Sequence, residues 1–128
     1  MDVLSSRVLL RPTDLQRSRH FYRDVLGLAV YREFGDTDDP GTVFFMGNGM
    51  LEVSGRSASD AAPTVGIWLQ VRDVAAEHRR LTAARVTVRG APQRQPWGLI
   101  EMTIADPDGV EIILVEVPPE HPLRRDNR

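Results

Sequence analysis

The sequence consists of two copies of one pattern. A strand, a helix that begins at an aspartate and three further strands occupy residues 3–55 and recur over residues 64–117. Shifting the chain by 59 positions places Asp14 on Asp73 and superposes the apolar residues of the strands before them. Such a repeat indicates an internal duplication. It predicts an α+β chain made of two βαβββ modules.

The segments outside the two modules are short. Residues 56–63, rich in small and polar side chains, are predicted to be a linker. Residues 118–128 are predicted to be a tail that frays or lies on the surface. With 128 residues, we expect the whole chain to fold as a single domain.

Local signals locate both helices. Thr13 with Gln16 three residues later fits a capping box, which makes Thr13 the expected N-cap and Asp14 the first helical residue. Gly27 suits the left-handed position after that helix. Asp73 is placed to cap the second helix.

The remaining segments read as strands. The turns GNG at residues 47–49 and DPDG at residues 106–109 each predict a hairpin, with Gly109 in a left-handed bulge position. The segment VTVR at residues 86–89 predicts the strand that follows the second helix.

Composition and charge exclude several classes of protein. The chain has no cysteine, which excludes disulfides and cysteine-bound zinc. Sixteen Lys and Arg against 18 Asp and Glu, a net charge of −2, do not predict binding to nucleic acid. No apolar run is long enough to span a membrane, and the N-terminus lacks the pattern of a secretory signal. We therefore expect a cytoplasmic protein.

Two stretches carry a family resemblance: DLQRSRHFYRDVLGL, from residue 14, and QPWGLIEMTIADPDG, from residue 95. Together with the two βαβββ modules, they resemble the vicinal oxygen chelate superfamily, which includes glyoxalase I, extradiol dioxygenases and bleomycin-resistance proteins. The second stretch is most similar to the metal-free, antibiotic-binding branch. The resemblance implies a curved mixed sheet around a concave cavity, with the helices on the convex face. It also implies a homodimer.

Strand alternation, combined with this fold, predicts which side chains face the cavity. We expect ligand contacts from Arg7, Leu9, Met50, Glu52, Trp68, Glu101, Thr103 and Ile113. Trp97 is added because a loop tryptophan lines the ligand groove in the antibiotic-binding relatives. Further residues assigned to the cavity face or its wall are Arg11, Phe45, Ser54, Leu99, Met102 and Val115.

The resemblance also implies where a metal would be bound. Metal-using members carry four ligands on the first and fourth strands of each module, at positions that correspond to Arg7, Glu52, Gly66 and Ile113. Only Glu52 has a donor side chain, whereas a divalent ion needs several. We therefore expect no metal and no other cofactor. We expect instead that Arg7 occupies a lost ligand position and pairs with Glu52 across the cavity floor, or that one of the two residues is freed for a ligand. The three histidines, His20, His78 and His121, are expected to be surface residues.

Three functions stay open. The first is a metal-independent binding protein that sequesters a flat aromatic or antibiotic-like molecule, whose charge the sequence leaves undecided. The second is a metal-independent isomerase or lyase with Glu52 or Glu101 as general base, which needs a raised carboxyl pKa. The third is a metal-dependent lyase or dioxygenase, which the missing ligands disfavour.

Overall fold

The structure, a computed structural model, describes residues 1–60 and 64–123. The chain divides into two compact units whose boundary, between residues 61 and 62, falls within the predicted linker. Residues 61–63 of that linker and residues 124–128 of the predicted tail lie outside the described part. Within the described part, no helix is both long and apolar enough to cross a membrane.

Over the described residues, each unit contains one helix and one four-stranded sheet, which confirms the predicted α+β class and the βαβββ order. The first unit contains β1 (Val8–Leu10), α1 (Leu15–His20) continued by a π-helical turn (Phe21–Val25), β2 (Val30–Phe34), β3 (Gly41–Met46) and β4 (Gly49–Val53). The second contains β5 (Gly66–Gln70), α2 (Val74–Ala83), β6 (Thr87–Arg94), β7 (Ile100–Ala105) and β8 (Glu111–Glu116).

Both sheets are mixed and share one topology. The strand orders are β1-β4-β3-β2 and β5-β8-β7-β6. In each sheet the first strand pairs in parallel with the last, and the other two pairings are antiparallel. The helix between the first two strands of each unit provides the crossover that lets the first strand lie parallel to the last.

The first helix begins one residue later than the capping box predicts. Asp14 has extended backbone, and its Oδ1 accepts from the backbone N–H of Arg17 at 3.0 Å, so Asp14 is the N-cap. The hydroxyl oxygen of Thr13 accepts from the Arg17 side chain instead. An aspartate caps at least as well as threonine, which decides the competition. The predictions for Gly27, with φ +78°, and for Asp73, which caps α2, are confirmed.

The core of the first unit lies between its sheet and its helix. Leu51, Val53 and Phe44 are fully buried on this helix face, where the Tyr22 ring lies 6.4 Å from the Phe44 ring. Val8, the register partner of Leu51 in the pairing of β1 with β4, is by contrast 38% exposed. Strand β1 is a three-residue edge strand that pairs with β4, so one flank of Val8 is open to solvent.

The second unit departs from expectation at β6. The strand continues five residues beyond the predicted VTVR and includes Gly90 and Pro92. Its pairing with β7 shifts register on both sides of Gly90. Proline is tolerated because β6 is an edge strand, where an N–H need not be donated to a neighbour.

The beginning of the tail packs against this unit. Val115 is fully buried with Leu99 and Val117, and Leu123 packs against this cluster. The prediction that Val115 lines a cavity is therefore wrong, because the tail and the loop before β7 bring apolar groups to its face of the sheet. Leu99 and Met102, two further wall candidates, are also buried.

Candidate functional site

Two arginines and a serine surround the Glu52 carboxylate on the face of the first sheet that points away from α1, here called the open face. Arg7 Nη1 donates to Glu52 Oε1 at 2.9 Å. The Ser54 hydroxyl donates to Glu52 Oε2 at 2.6 Å, and Arg11 Nη1 lies 3.3 Å from the same oxygen. Arg11 Nη1 also donates to Ser54 Oγ at 2.6 Å. The predicted pair of Arg7 and Glu52 is thus present, within a network of four side chains.

Strand geometry explains why these groups meet. Leu9 is the register partner of Glu52 in the parallel pair of β1 and β4. Residues two apart on a strand share a face, so Arg7 and Arg11 flank Leu9 on the side of Glu52 and Ser54. The arginine at either end of β1 can then reach one carboxylate oxygen each.

The carboxylate is held ionised by these contacts. The Ser54 hydrogen bond, followed by the Arg7 and Arg11 guanidinium groups, lowers the pKa of Glu52, against the opposing effect of burial. Both oxygens accept from donors, and the side chain is only 13% exposed. A general base needs a pKa near the working pH and a free oxygen. The isomerase or lyase hypothesis requires a raised pKa, whereas the pKa of Glu52 is lowered, so Glu52 does not meet that requirement.

The residues at the four positions implied for metal ligands do not suit a metal ion. Arg7 places a positive charge 2.9 Å from the carboxylate that would be a ligand. Gly66 has no side chain and Ile113 has no donor atom. Over residues 1–60 and 64–123, no three histidine, aspartate or glutamate side chains lie together as a metal-binding group.

A cavity of about 560 Å³ opens beside Arg7 in the first unit. Its walls come from the N-terminal segment, the β3–β4 turn and the open face, and they include Arg7, Tyr31, Phe45 and Met50. The Tyr31 and Phe45 rings meet edge to face with centroids 5.2 Å apart. Both side chains stay about half exposed, at 49% and 45%. The cavity therefore offers a pre-arranged aromatic surface next to a cation.

Tyr31 is a residue that the sequence reasoning missed. The pairing of β2 with β3 shifts register between Val30 and Arg32, so alternation along YRE does not reveal which face Tyr31 occupies. A bulge moves side chains to the other face of a sheet. The aromatic residues of LAVYREF were the available signal, since β-strand aromatics often pair across strands.

The remaining predicted contacts lie in the second unit. Trp97 Nε1 donates to Glu101 Oε2 at 2.7 Å, with the tryptophan 58% exposed. Trp68 is also exposed and is the register partner of Ile113, which in turn lies opposite Thr103. These side chains share the sheet face away from α2, where Glu101 is the register partner of the buried Val115.

Two of the three histidines make side-chain contacts within the described residues. His20 Nδ1 lies 2.8 Å from Asp24 Oδ2 on the surface of the first helix. His121 Nε2 lies 2.9 Å from the backbone oxygen of Trp97, and its Nδ1 accepts from the Leu123 N–H. His78 is half-buried on α2. The contacts of His121 tie the tail to the loop that carries Trp97.

Solved structures show the same fold over nearly the whole chain. A member of the glyoxalase/bleomycin resistance protein/dioxygenase superfamily from Sphaerobacter thermophilus DSM 20745 is 22% identical, with a TM-score of 0.74 and coverage of 90% of this chain and 98% of that one. TnmS3, an antibiotic-binding protein from Streptomyces sp. CB03234, is 19% identical, with a TM-score of 0.75 and coverage of 91% and 98%. A lactoylglutathione lyase from Agrobacterium tumefaciens is 24% identical, with a TM-score of 0.65 and coverage of 91% and 94%. At such identities the likeness establishes the fold alone.

The sequence itself carries the family assignment. A comparison with curated proteins gives no match. The family model described as Glyoxalase/Bleomycin resistance protein/Dioxygenase superfamily matches residues 5–114, which span both repeats. The chain therefore belongs to the glyoxalase/bleomycin resistance protein/dioxygenase superfamily.

Proposed function

We propose that this protein binds a small, flat aromatic molecule without a metal ion and sequesters it. The observation that carries the proposal is the 560 Å³ cavity in which the Tyr31 and Phe45 rings lie beside Arg7. Cavities of this size accommodate small organic ligands, and exposed ring faces stack on planar ones.

The state of Glu52 supports binding without metal or turnover. Its carboxylate accepts from Arg7, Arg11 and Ser54, which supports the proposal that it acts neither as a metal ligand nor as a free base. The likeness in fold to the antibiotic-binding protein TnmS3 is consistent with this proposal. The likeness to a lactoylglutathione lyase keeps a lyase as the competing reading, for which Glu101 is the remaining candidate base.

Isothermal titration calorimetry with planar aromatic compounds of one to three rings, in the presence of EDTA, tests the proposal. We expect saturable one-to-one binding that EDTA leaves unchanged. Replacing Phe45 with Ala removes half of the aromatic pair and should weaken binding by up to about tenfold, since aromatic contacts contribute roughly 0.5–1.5 kcal/mol.

Phe34→Ala is the matched control. Phe34 is a partly exposed phenylalanine of the same sheet that does not line the cavity, so this variant should bind as the wild type does. Equal weakening by both variants, or the absence of saturable binding by the wild type, would contradict the proposal. Stoichiometric tight binding of nickel, zinc or manganese, lost in Glu52→Gln, would contradict metal independence. Turnover that Glu101→Gln abolishes would establish the lyase reading instead.

We also propose that the exposed tryptophans of the second unit contact ligand and that the protein is a cytoplasmic homodimer. The exposure of Trp68 and Trp97 supports the first point. The absence of cysteine supports a cytoplasmic location. The exposed apolar side chains of edge strand β1, Val8 and Leu9, support a homodimer. The ligand contact is tested by quenching of tryptophan emission by ligand, which should be lost in Trp97→Ala. The homodimer is tested by sedimentation equilibrium. Unchanged emission or a monomeric mass would refute them.

A further inference from the structure

The cavity of the first unit carries one kind of charge. Of the described residues that line it, Arg7 is the only charged one. Glu52, the partner of Arg7, does not line the cavity, and neither does Arg11. A molecule in the cavity therefore meets the guanidinium and not the carboxylate that balances it.

The guanidinium of Arg7 keeps donors for a ligand. Within residues 1–60 and 64–123, its hydrogen-bond partner is Glu52 alone, reached through Nη1. The remaining N–H groups of a guanidinium form a planar fork that matches a carboxylate. The Arg7 side chain is 37% exposed, so an anion can reach its guanidinium without displacing other side chains.

The local balance of charge also favours an anion. The carboxylate of Glu52 lies between two guanidinium groups, those of Arg7 and Arg11. The three side chains together leave one positive charge in excess. The Ser54 and Arg11 contacts hold Glu52 in place, and Glu52 in turn holds Arg7 at the wall of the cavity.

The aromatic pair sets the shape of the ligand. Tyr31 and Phe45 line the same cavity as Arg7, and their exposed faces suit a planar ring system. The sequence left the sign of the ligand open because Glu52 and Glu101 argued for a cation and Arg7 for an anion. From the network and the lining together, we infer that the cavity selects planar aromatic anions, such as aromatic carboxylates, with Arg7 as the residue that determines charge specificity. This inference rests on the proposed function.

Matched pairs of ligands test the inference. The probes are benzoate, 2-naphthoate and 2-anthroate, each with its neutral primary amide, titrated calorimetrically. We expect the wild type to bind at least one carboxylate about tenfold or more tightly than its amide, the scale of one charged hydrogen bond. Added salt should weaken carboxylate binding and leave amide binding unchanged.

Substitutions of two arginines separate the local effect from net charge. Arg7→Met should reduce carboxylate affinity about tenfold and change amide affinity less than twofold. Arg7→Lys should restore part of the loss, because it keeps the charge without the fork. Arg32→Met removes the same charge from the same sheet, outside the cavity, and should match the wild type.

The outcomes distinguish this inference from the proposed function. Equal affinity for carboxylates and amides, with Arg7→Met unchanged, overturns the charge selectivity and leaves aromatic binding in place. Equal losses in Arg7→Met and Arg32→Met also overturn it, since they reflect net charge alone. Binding of neither carboxylates nor amides by the wild type overturns both.

Discussion

Replacing Glu52 with Gln probes the network at the open face of the first sheet. The two side chains have the same shape, so the change removes a charge and turns one acceptor into a donor. The amide oxygen can still accept from Arg7. The amide nitrogen then faces Arg11 Nη1, a donor that lies 3.3 Å from Oε2 in the wild type.

The contacts of Glu52 set the size of the effect. A hydrogen bond between charged groups contributes roughly 1.5–3 kcal/mol when shielded from water, and exposed ion pairs contribute less than about 1 kcal/mol. Arg7 and Arg11 are 37% and 49% exposed, whereas Glu52 is 13% exposed. The network lies between these limits, so we expect Glu52→Gln to lower the free energy of unfolding by about 1–2 kcal/mol at pH 7.

The dependence of this loss on pH identifies its cause. The pKa of Glu52 is lowered in the folded protein, first by Ser54 and then by the arginines. A group of this kind contributes stability above its unfolded pKa, and the contribution disappears as pH falls through the folded pKa. The difference between wild type and variant should thus be constant from pH 7 to 5 and shrink below about pH 4.

Urea unfolding followed by far-ultraviolet circular dichroism, repeated from pH 7 to pH 3, measures the difference. Glu111→Gln is the control, because Glu111 is an exposed strand glutamate for which the structure shows no ion pair within the described residues. The control should change stability by less than about 0.5 kcal/mol at every pH. A loss in Glu52→Gln that is as large at pH 3 as at pH 7 would refute an electrostatic origin, and no loss at pH 7 would refute the network itself.

Three further changes have expected results. Thr42→Val should raise the free energy of unfolding by about 1 kcal/mol, because the buried Thr42 hydroxyl has no hydrogen-bond partner among the described residues. The exposed Thr87→Val serves as control, and a decrease in Thr42→Val would refute this reasoning. Asp14→Ala should lower the free energy of unfolding by about 1 kcal/mol and Asp14→Asn by much less, as measured by urea unfolding. The absence of this difference would show that Asp14 is not the cap. Leu123→Ala should cost about 1 kcal/mol and speed amide exchange at Val115, and unchanged exchange would show that the tail does not cover this cluster.

Much of the architecture follows from local signals. Two βαβββ modules are predicted from the DPDG and GNG turns, the aspartates before the helices and the alternation along the strands. Each of these signals depends on neighbouring residues only, so the sequence alone reveals it. The partnership of Arg7 with Glu52 follows from the same alternation once the two strands are known to be adjacent. Where a bulge interrupts the alternation, as between Val30 and Arg32, the sequence no longer predicts which face of the sheet a side chain occupies.

The sequence by itself determined the repeat, the order of elements, the family and most of the side chains that share the open face, because periodicity and turn chemistry are written in short stretches. Tertiary structure alone decided three things: that Ser54 and Arg11 complete the network around Glu52, that Tyr31 pairs with Phe45, and that Leu123 packs with the Val115 cluster. Each depends on how distant segments approach in space. The pKa of Glu52 and the exposure of Arg7 depend on that approach as well.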